Sequence, residues 1–310
     1  MRINSLQHAQ WALSLMLLVF ATTGSHAQQA PGRFLSLNPP TGLPVIPIME
    51  GWYANEDGSV SISFGYLNRN TEQTLDIPVG NNNFIEPAEF NGSQPTHFQT
   101  GRHTGVFTVT LPADRRDDEI WWHIKAGENP VMKVPGRADS TAYELDHRPR
   151  PQGSVEPLGW FEEGGATGFG PTGLMSASAL QVAVGAELTL TVHARDPSER
   201  DPTDPRYGKP VPIRLLWSKY TGPGEVTFTR HPSSPNLEEV LDTRGRPMRA
   251  DSAEQVTLVE GFGTANVIGT FSEPGDYIIR TRIDNWAASD STAGDQCCWT
   301  NLYQKVTVTP

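Results

Sequence analysis

The chain has 310 residues, of which 37% are hydrophobic and 19% charged, and its formal net charge at pH 7 is −11. With 29 glycines and 26 prolines, this composition excludes a coiled coil, a collagen-like rod, a wholly disordered chain and a polytopic membrane protein. The acidic balance argues against a nucleic-acid partner, because proteins that bind phosphate backbones present patches of lysine and arginine.

The N-terminus predicts a signal peptide over residues 1–27. Arg2 precedes an apolar run at 11–21, and the small residues Ser25 and Ala27 stand at positions −3 and −1 of the predicted cleavage site. The alternative is an uncleaved membrane anchor, but a run of about 11 residues is shorter than the roughly 20 that cross a bilayer. We therefore expect an exported protein, periplasmic or extracellular, with no stable membrane insertion after cleavage.

A proline-punctuated leader at 28–47 precedes a first domain predicted at 48–146. Apolar and small residues alternate over 60–66, and the Asp-Gly pair within 55–58 predicts a hairpin turn just before them. Further strands are predicted at 107–111, 120–124 and 131–134. Strands at this spacing, separated by glycine, proline and asparagine, predict an antiparallel β-sandwich. This half resembles only uncharacterised secreted bacterial β-domains, which implies no function.

Proline and glycine enrich residues 147–173, which predicts a linker, and the strand pattern returns over 174–310. The predicted strands lie at 188–192, 213–217, 226–229, 256–258, 265–268, 277–279 and 303–308. About seven strands in roughly 130 residues is the count expected of an immunoglobulin-like sandwich. The predicted fold class is therefore all-β, with two antiparallel β-sandwich domains joined by a Pro/Gly-rich linker.

Two motifs in the second domain carry a family resemblance. A strand with Trp217 leads into a Gly-Pro-Gly turn at 222–224, and Phe271 is followed by Pro274-Gly275 and Tyr277. This pattern resembles the PKD-like (polycystic kidney disease-type) immunoglobulin-fold module over residues 174–310. The departures are a polar insertion at 231–251 and the segment 284–290 in place of the family's acidic closing segment. The resemblance implies an extracellular adhesive or spacer module and no catalytic residue.

Cys297 and Cys298 are the only cysteines and are adjacent in sequence. In an oxidising compartment they predict a vicinal disulfide, which would form a rigid apolar knob beside Trp299 and Trp286. Two free buried thiols and an intermolecular bridge are the alternatives. A redox-catalytic role is disfavoured, because Cys-x-x-Cys spacing near a helix is absent.

Acidic residues in the last loop suggest weak calcium ligands: Asp284, Asp290 and Asp295. They lack the Asp-x-Asp-x-Asp-Gly spacing of a dedicated calcium loop, so we expect no resident cofactor. Three histidines also lack the spacing of a zinc site and predict ordinary hydrogen-bonded side chains: His97, His103 and His123. No Gly-x-Ser-x-Gly and no His-Glu-x-x-His occurs, so the sequence predicts a protein that is not an enzyme.

Tryptophans are the remaining candidates for ligand contact. Adjacent side chains on a strand point to opposite faces of the sheet, so either Trp121 or Trp122 must point away from the core. We therefore expect Trp121, Trp286 and Trp299 to contact a ligand. The function predicted is an exported binding or scaffolding protein of the cell envelope with a protein or glycan partner. The alternatives are a secreted carbohydrate-active or metal-dependent hydrolase with a loop-borne site, and an accessory subunit of a periplasmic complex.

Overall fold

A computed structural model describes residues 39–145, 148–234, 242–243, 245, 251–294 and 296–310. The predicted signal peptide, most of the predicted leader, Asp295 and most of the predicted insertion lie outside these ranges. Residues 40–310 form one compact unit, and the fold described below is that of this unit.

Strands dominate the described residues, confirming the predicted all-β class. Four single-turn 3-10 helices lie at Ala88–Phe90, Ala113–Arg115, Thr141–Tyr143 and Pro205–Tyr207. In the described part of the chain, no helix has the length and apolar character needed to cross a membrane. The strands, in chain order, are β1 (Val45–Ala54), β2 (Val60–Asn68), β3 (Leu75–Asp76), β4 (Asn83–Glu86), β5 (His97–Phe98), β6 (Gly101–Leu111), β7 (Ile120–Ile124), β8 (Met132–Gly136), β9 (Leu158–Trp160), β10 (Gly168–Phe169), β11 (Leu174–Ala183), β12 (Glu187–Arg195), β13 (Ile213–Thr221), β14 (Val226–Arg230), β15 (Gln255–Leu258), β16 (Phe262–Phe271), β17 (Gly275–Asp284) and β18 (Trp299–Thr309).

The first sandwich comprises β1 to β8. One antiparallel sheet has the order β1-β2-β6 and the other β4-β7-β8, with β3 and β5 paired separately. Alternating side chains from both sheets meet in one core, where the Trp122 ring lies edge-on to those of Phe64 and Phe107. The alternation seen in the sequence therefore places Trp122 inside and Trp121 on the outer face.

A β-bulge interrupts β6 where it pairs with β2. The register shifts between Phe64 and Tyr66, and Gly105 adopts a φ of +51°. Glycine adopts this left-handed conformation without the steric cost that a Cβ would bring. The bulge turns the Gly105 carbonyl toward the second sandwich, where it accepts the hydrogen bonds described below.

The second sandwich comprises β9 to β18. Its two sheets have the orders β10-β9-β12-β16-β14 and β11-β18-β17-β13-β15. This is the strand order of an immunoglobulin domain. In the standard letters of that fold, one sheet has A, B, E and D at β9, β12, β16 and β14, and the other has G, F and C at β18, β17 and β13. All pairs are antiparallel except β11 with β18, which run parallel. The core between the sheets contains Trp217, Phe271 and Tyr277.

The outer face of β13, β17 and β18 packs against the first sandwich. Alternate residues of these strands face the core of the second sandwich, and those between them face outward. Outward Tyr220 and Tyr303 are buried with the core of the first sandwich instead of reaching solvent. Tyr303 donates its hydroxyl hydrogen to the carbonyl oxygen of Val106 over 2.8 Å, and the Thr96 amide donates to the Tyr220 carbonyl over 3.0 Å.

Within the predicted linker, 147–173, the structure has β9 and β10, which extend one sheet of the second sandwich. Hydrogen bonds fix this segment at two further points. The Ser154 hydroxyl donates to Asp290 over 2.6 Å, and the Thr172 hydroxyl is hydrogen-bonded to Tyr53. The segment therefore contacts both sandwiches and is part of the folded unit.

Candidate binding surfaces

One backbone carbonyl joins the two sandwiches. The Gly105 oxygen accepts hydrogen bonds from Asn301 Nδ2 at 2.8 Å, Arg280 Nη2 at 3.2 Å and Trp299 Nε1 at 3.2 Å. We call this arrangement the carbonyl contact. All three donors come from the outer face of β17 and β18, and all four residues are buried. Hydrogen bonds in a buried site are strong, and an unpaired partner there is costly, so the contact fixes one arrangement of the sandwiches.

Trp299 therefore lies in this interface. Its side chain is 1% exposed, and it is enclosed by protein on all sides. The sequence placed it beside the cysteines in a loop and predicted a ligand contact. The structure corrects that interpretation, because Trp299 is the first residue of β18 and its outward face is covered by the first sandwich.

The guanidinium of Arg280 is buried next to the carbonyl contact. Its Nε donates to Asn301 Oδ1 over 2.9 Å, and no carboxylate among the described residues forms an ion pair with it. Burial lowers the pKa of Arg280, and nearby tyrosines, chiefly Tyr303, oppose that shift. A buried cation without a carboxylate depends on neutral acceptors, here the Gly105 carbonyl, the Asn301 amide oxygen and the Tyr303 phenol oxygen.

An ion pair between Arg102 and Glu50 lies on the first sandwich. Arg102 donates through Nη2 to both carboxylate oxygens of Glu50, each over 2.6 Å. Burial raises the pKa of Glu50, although the bonds from Arg102 oppose this. Neighbouring His103 stacks on Tyr66, and burial lowers its pKa to about 4, assisted by Arg280 and Arg282. His103 is therefore neutral at physiological pH.

Two arginines, one aspartate and one tryptophan form a cluster where the outer face of the second sandwich reaches its loop end. Asp284 is fully buried and accepts from Arg214 through Oδ1 and from Arg282 through Oδ2, at 2.8–3.1 Å. The Trp286 ring lies over both guanidiniums, with its centroid 4.3 Å from Arg282 Cζ and 5.5 Å from Arg214 Cζ. We call these four residues the arginine–tryptophan cluster.

The predicted calcium ligands are engaged with other partners. Asp284 is paired with two arginines, and Asp290 accepts from the amides of Gln152 and Ser154 and from the Ser154 hydroxyl. Asp295 lies outside the described residues. Among the residues that the structure describes, no group of three or more histidine, cysteine, aspartate or glutamate side chains is placed to hold a metal ion. Calcium binding stays a prediction without a site in the described structure.

Cys297 and Cys298 are joined by a disulfide bond in the structure, at the end of the loop between β17 and β18. Both residues are buried, so they form no exposed knob beside the tryptophans. The Cys298 amide donates to the Ser291 hydroxyl over 2.7 Å, and Ser291 in turn donates to Asn285 Oδ1 over 2.6 Å. These two hydrogen bonds tie the end of the loop back to Asn285, the residue before Trp286.

Trp121 lies on the outer face of the β4-β7-β8 sheet and is half-buried. Its Nε1 donates to Glu119 over 2.7 Å, and Lys133 Nζ lies 4.6 Å from its ring centroid. In the next row of the same face, the His123 ring stacks on Phe84 at 4.4 Å between centroids. This face combines aromatic rings with charged groups, and it is the second surface where the structure places a predicted ligand residue.

Of the three histidines, His97 and His103 are hydrogen-bonded, as the sequence predicted. His97 Nδ1 lies 2.8 Å from Asp76 Oδ1, and His103 Nε2 lies 3.1 Å from the Thr100 carbonyl. The three do not converge on one point in the described structure.

The residues that sequence reasoning missed are Gly105, Arg280 and Asn301, which make the carbonyl contact. A glycine inside a strand is a signal for a bulge or a close backbone approach, but the predicted strand at 107–111 began after Gly105, which lies inside β6 in the structure.

Comparison with known proteins gives no family assignment. No protein-family model matches the chain. No curated protein matches it. Among solved structures it is similar to the D0-D1 domain of Intimin, at 13% identity and a TM-score of 0.23, over 85% of this chain and 97% of that one. Domains 4 and 5 of the S-layer protein SbsC are similar at 12% identity and a TM-score of 0.22, over 86% and 98% of the two chains. The D00-D0 domain of Intimin is similar at 10% identity and a TM-score of 0.25, over 86% and 100%. Such scores do not establish a common fold, so the immunoglobulin arrangement rests on the strand order given above.

Proposed function

We propose that this chain is an exported, non-enzymatic recognition protein in which two β-sandwiches act as one rigid body at the cell envelope or outside the cell. The observation that supports this most is the carbonyl contact. A buried carbonyl with three donors from the neighbouring sandwich holds the two halves in one arrangement. A rigid body of this kind keeps its surfaces and loops at fixed positions, which suits a protein that binds or spaces partners.

The PKD-like identity of the second sandwich is part of this proposal. Its support is the Trp217 strand, the Gly-Pro-Gly turn at 222–224 and the pair Pro274-Gly275 before Tyr277, together with the immunoglobulin strand order. In the structure Trp217 and Tyr277 fill the core between the sheets. An adhesive or spacer role follows from that resemblance.

Export is tested by expressing the full chain with its own N-terminus in a bacterial host and fractionating the cells. The proposal expects a protein in the periplasm or the medium whose mass corresponds to loss of residues 1–27. A full-length product retained in the cytoplasm would contradict it.

Recognition is tested with the purified mature chain on arrays of neutral and acidic glycans, and with envelope proteins immobilised as purified components. We expect saturable binding without turnover of glycan or ester substrates. Turnover that a chelator abolishes would overturn the proposal in favour of a metal-dependent hydrolase. Stoichiometric co-purification with one periplasmic complex would instead identify an accessory subunit.

A further inference from the structure

Positive charge is concentrated at one place in this acidic protein. Four arginines lie close enough to interact electrostatically with one another or with His103. They are Arg102, Arg214, Arg280 and Arg282. Only two carboxylates, Glu50 and Asp284, form ion pairs with them among the described residues. The group therefore carries an excess of two positive charges in a chain whose formal net charge is −11. A local excess of one sign attracts ligands of the opposite sign.

The outer part of this group has donors to spare. Arg214 and Arg282 each bond Asp284 through Nε and Nη2, which leaves Nη1 of both without a hydrogen-bond partner in the described structure. Their side chains are 26% and 15% exposed, so neither side chain is fully enclosed. A guanidinium offers five donors in a planar fork that matches a carboxylate. Because Asp284 already fixes both forks, a bound anion would meet donors that are held in place.

Trp286 adds a second, independent observation. Its indole Nε1 is buried and has no hydrogen-bond partner, whereas buried polar groups are normally paired. The guanidiniums of Arg282 and Arg214 lie 4.3 and 5.5 Å from the centroid of the same ring, so the ring and the guanidiniums adjoin one another. The indole also supplies apolar surface against which the ring of a saccharide packs.

We propose that Arg214, Arg282 and Trp286 form the binding site for a carboxylate-bearing saccharide, whose carboxylate pairs with the free guanidinium donors. This inference rests on the proposed function, whose ligand class it names. A saccharide with a single carboxylate on each ring fits better than a polymer with several charges on each ring, because the protein's own negative charge repels the latter. The indole favours a ring-containing ligand over a simple inorganic anion.

The experiment titrates the mature protein with a galacturonic-acid oligomer and follows heat release by calorimetry. A galactose oligomer of the same length and sodium sulfate serve as matched ligands. Arg214→Gln should weaken binding of the acidic oligomer about tenfold to 100-fold, since bonds between charged groups contribute about 1.5–3 kcal/mol. Trp286→Ala should weaken it as well.

Arg137→Gln is the matched control. Arg137 is 51% exposed on the first sandwich, where it pairs with Glu119 and Asp139, so its loss removes one positive charge that takes no part in the proposed contacts. Thermal unfolding of each variant verifies folding, and Asp284 keeps Arg282 as a partner when Arg214 is replaced. Equal weakening by Arg137→Gln, or sulfate binding as strong as oligomer binding, would overturn the assignment.

The outcomes separate this inference from the proposed function. Binding of a neutral glycan or a protein that is insensitive to Arg214→Gln overturns the site and leaves the proposed function in place. Absence of binding to every arrayed glycan and protein overturns both.

Discussion

Replacing Gly105 with alanine perturbs the carbonyl contact at its centre. A Cβ at this position would lie 2.7 Å from Trp299 Nε1 and closer still to two carbons of the same ring. It would also have to adopt a φ of +51°. The left-handed backbone costs an alanine about 1 kcal/mol, and overpacking a buried site costs about 1–3 kcal/mol. Displacement of the ring would weaken the bonds to the carbonyl, so we expect the free energy of unfolding to fall by about 2–5 kcal/mol.

Gly127→Ala is the matched control. Gly127 has nearly the same φ, +54°, but nothing lies within 4 Å of the position its Cβ would take. It should lose only the backbone term of about 1 kcal/mol. Urea unfolding of wild type and both variants, followed by tryptophan fluorescence, gives the three free energies. Equal losses in the two variants would refute the reasoning, because they would show that the contact with Trp299 contributes nothing.

Three further predictions concern the same region. First, burial lowers the pKa of His103 to about 4 from an ordinary 6.5, so the unfolded chain binds this proton more readily than the folded one. The free energy of unfolding should therefore fall by up to about 3 kcal/mol as the pH drops from about 6.5 to about 4. The raised pKa of Glu50 changes the stability in the opposite sense, so the contribution of His103 is measured as the difference between wild type and His103→Gln. Urea unfolding of both proteins at several pH values gives this difference. Parallel pH profiles of the two proteins would contradict the prediction. Second, Asn301→Ala should lower the free energy of unfolding by about 2–4 kcal/mol, since it leaves the buried Gly105 carbonyl and other groups short of partners, and a loss below about 1 kcal/mol in the same assay would contradict this. Third, intact mass spectrometry of the oxidised protein, unfolded in alkylating reagent, should show no labelled cysteine, and two labels after reduction; labelling of unreduced monomer would contradict the bond between Cys297 and Cys298.

The sequence predicted most of the strands because most of them alternate clearly. The run 60–66 lies in β2, and the alternation at 120–124 has the bounds of β7. By contrast β11 is missing from the predictions, because its central residues are serine and alanine and it lies at the edge of a sheet. A half-exposed edge strand of small residues carries little hydrophobic signal. The short strands β9 and β10 lie in a stretch whose glycine and proline content is typical of linkers.

The site residues were harder to predict for a different reason. Alternation shows which side chains point away from the core of a sandwich, but it does not show whether another sandwich covers them. Trp299 leaves the core of the second sandwich, and only the folded chain shows that the first sandwich covers it. Arg282 and Asp284 could have been paired from sequence, because residues two apart on a strand share a face. That pairing alone weakens the calcium interpretation of Asp284, since a carboxylate held by a guanidinium has fewer oxygens to offer a metal ion.

Differential scanning calorimetry of the mature chain tests most directly whether the two sandwiches are one body. The carbonyl contact and the shared burial of Tyr220 and Tyr303 predict a single transition, with a calorimetric enthalpy about equal to the van't Hoff enthalpy. Two resolved transitions, each with the enthalpy of one sandwich, would contradict the account.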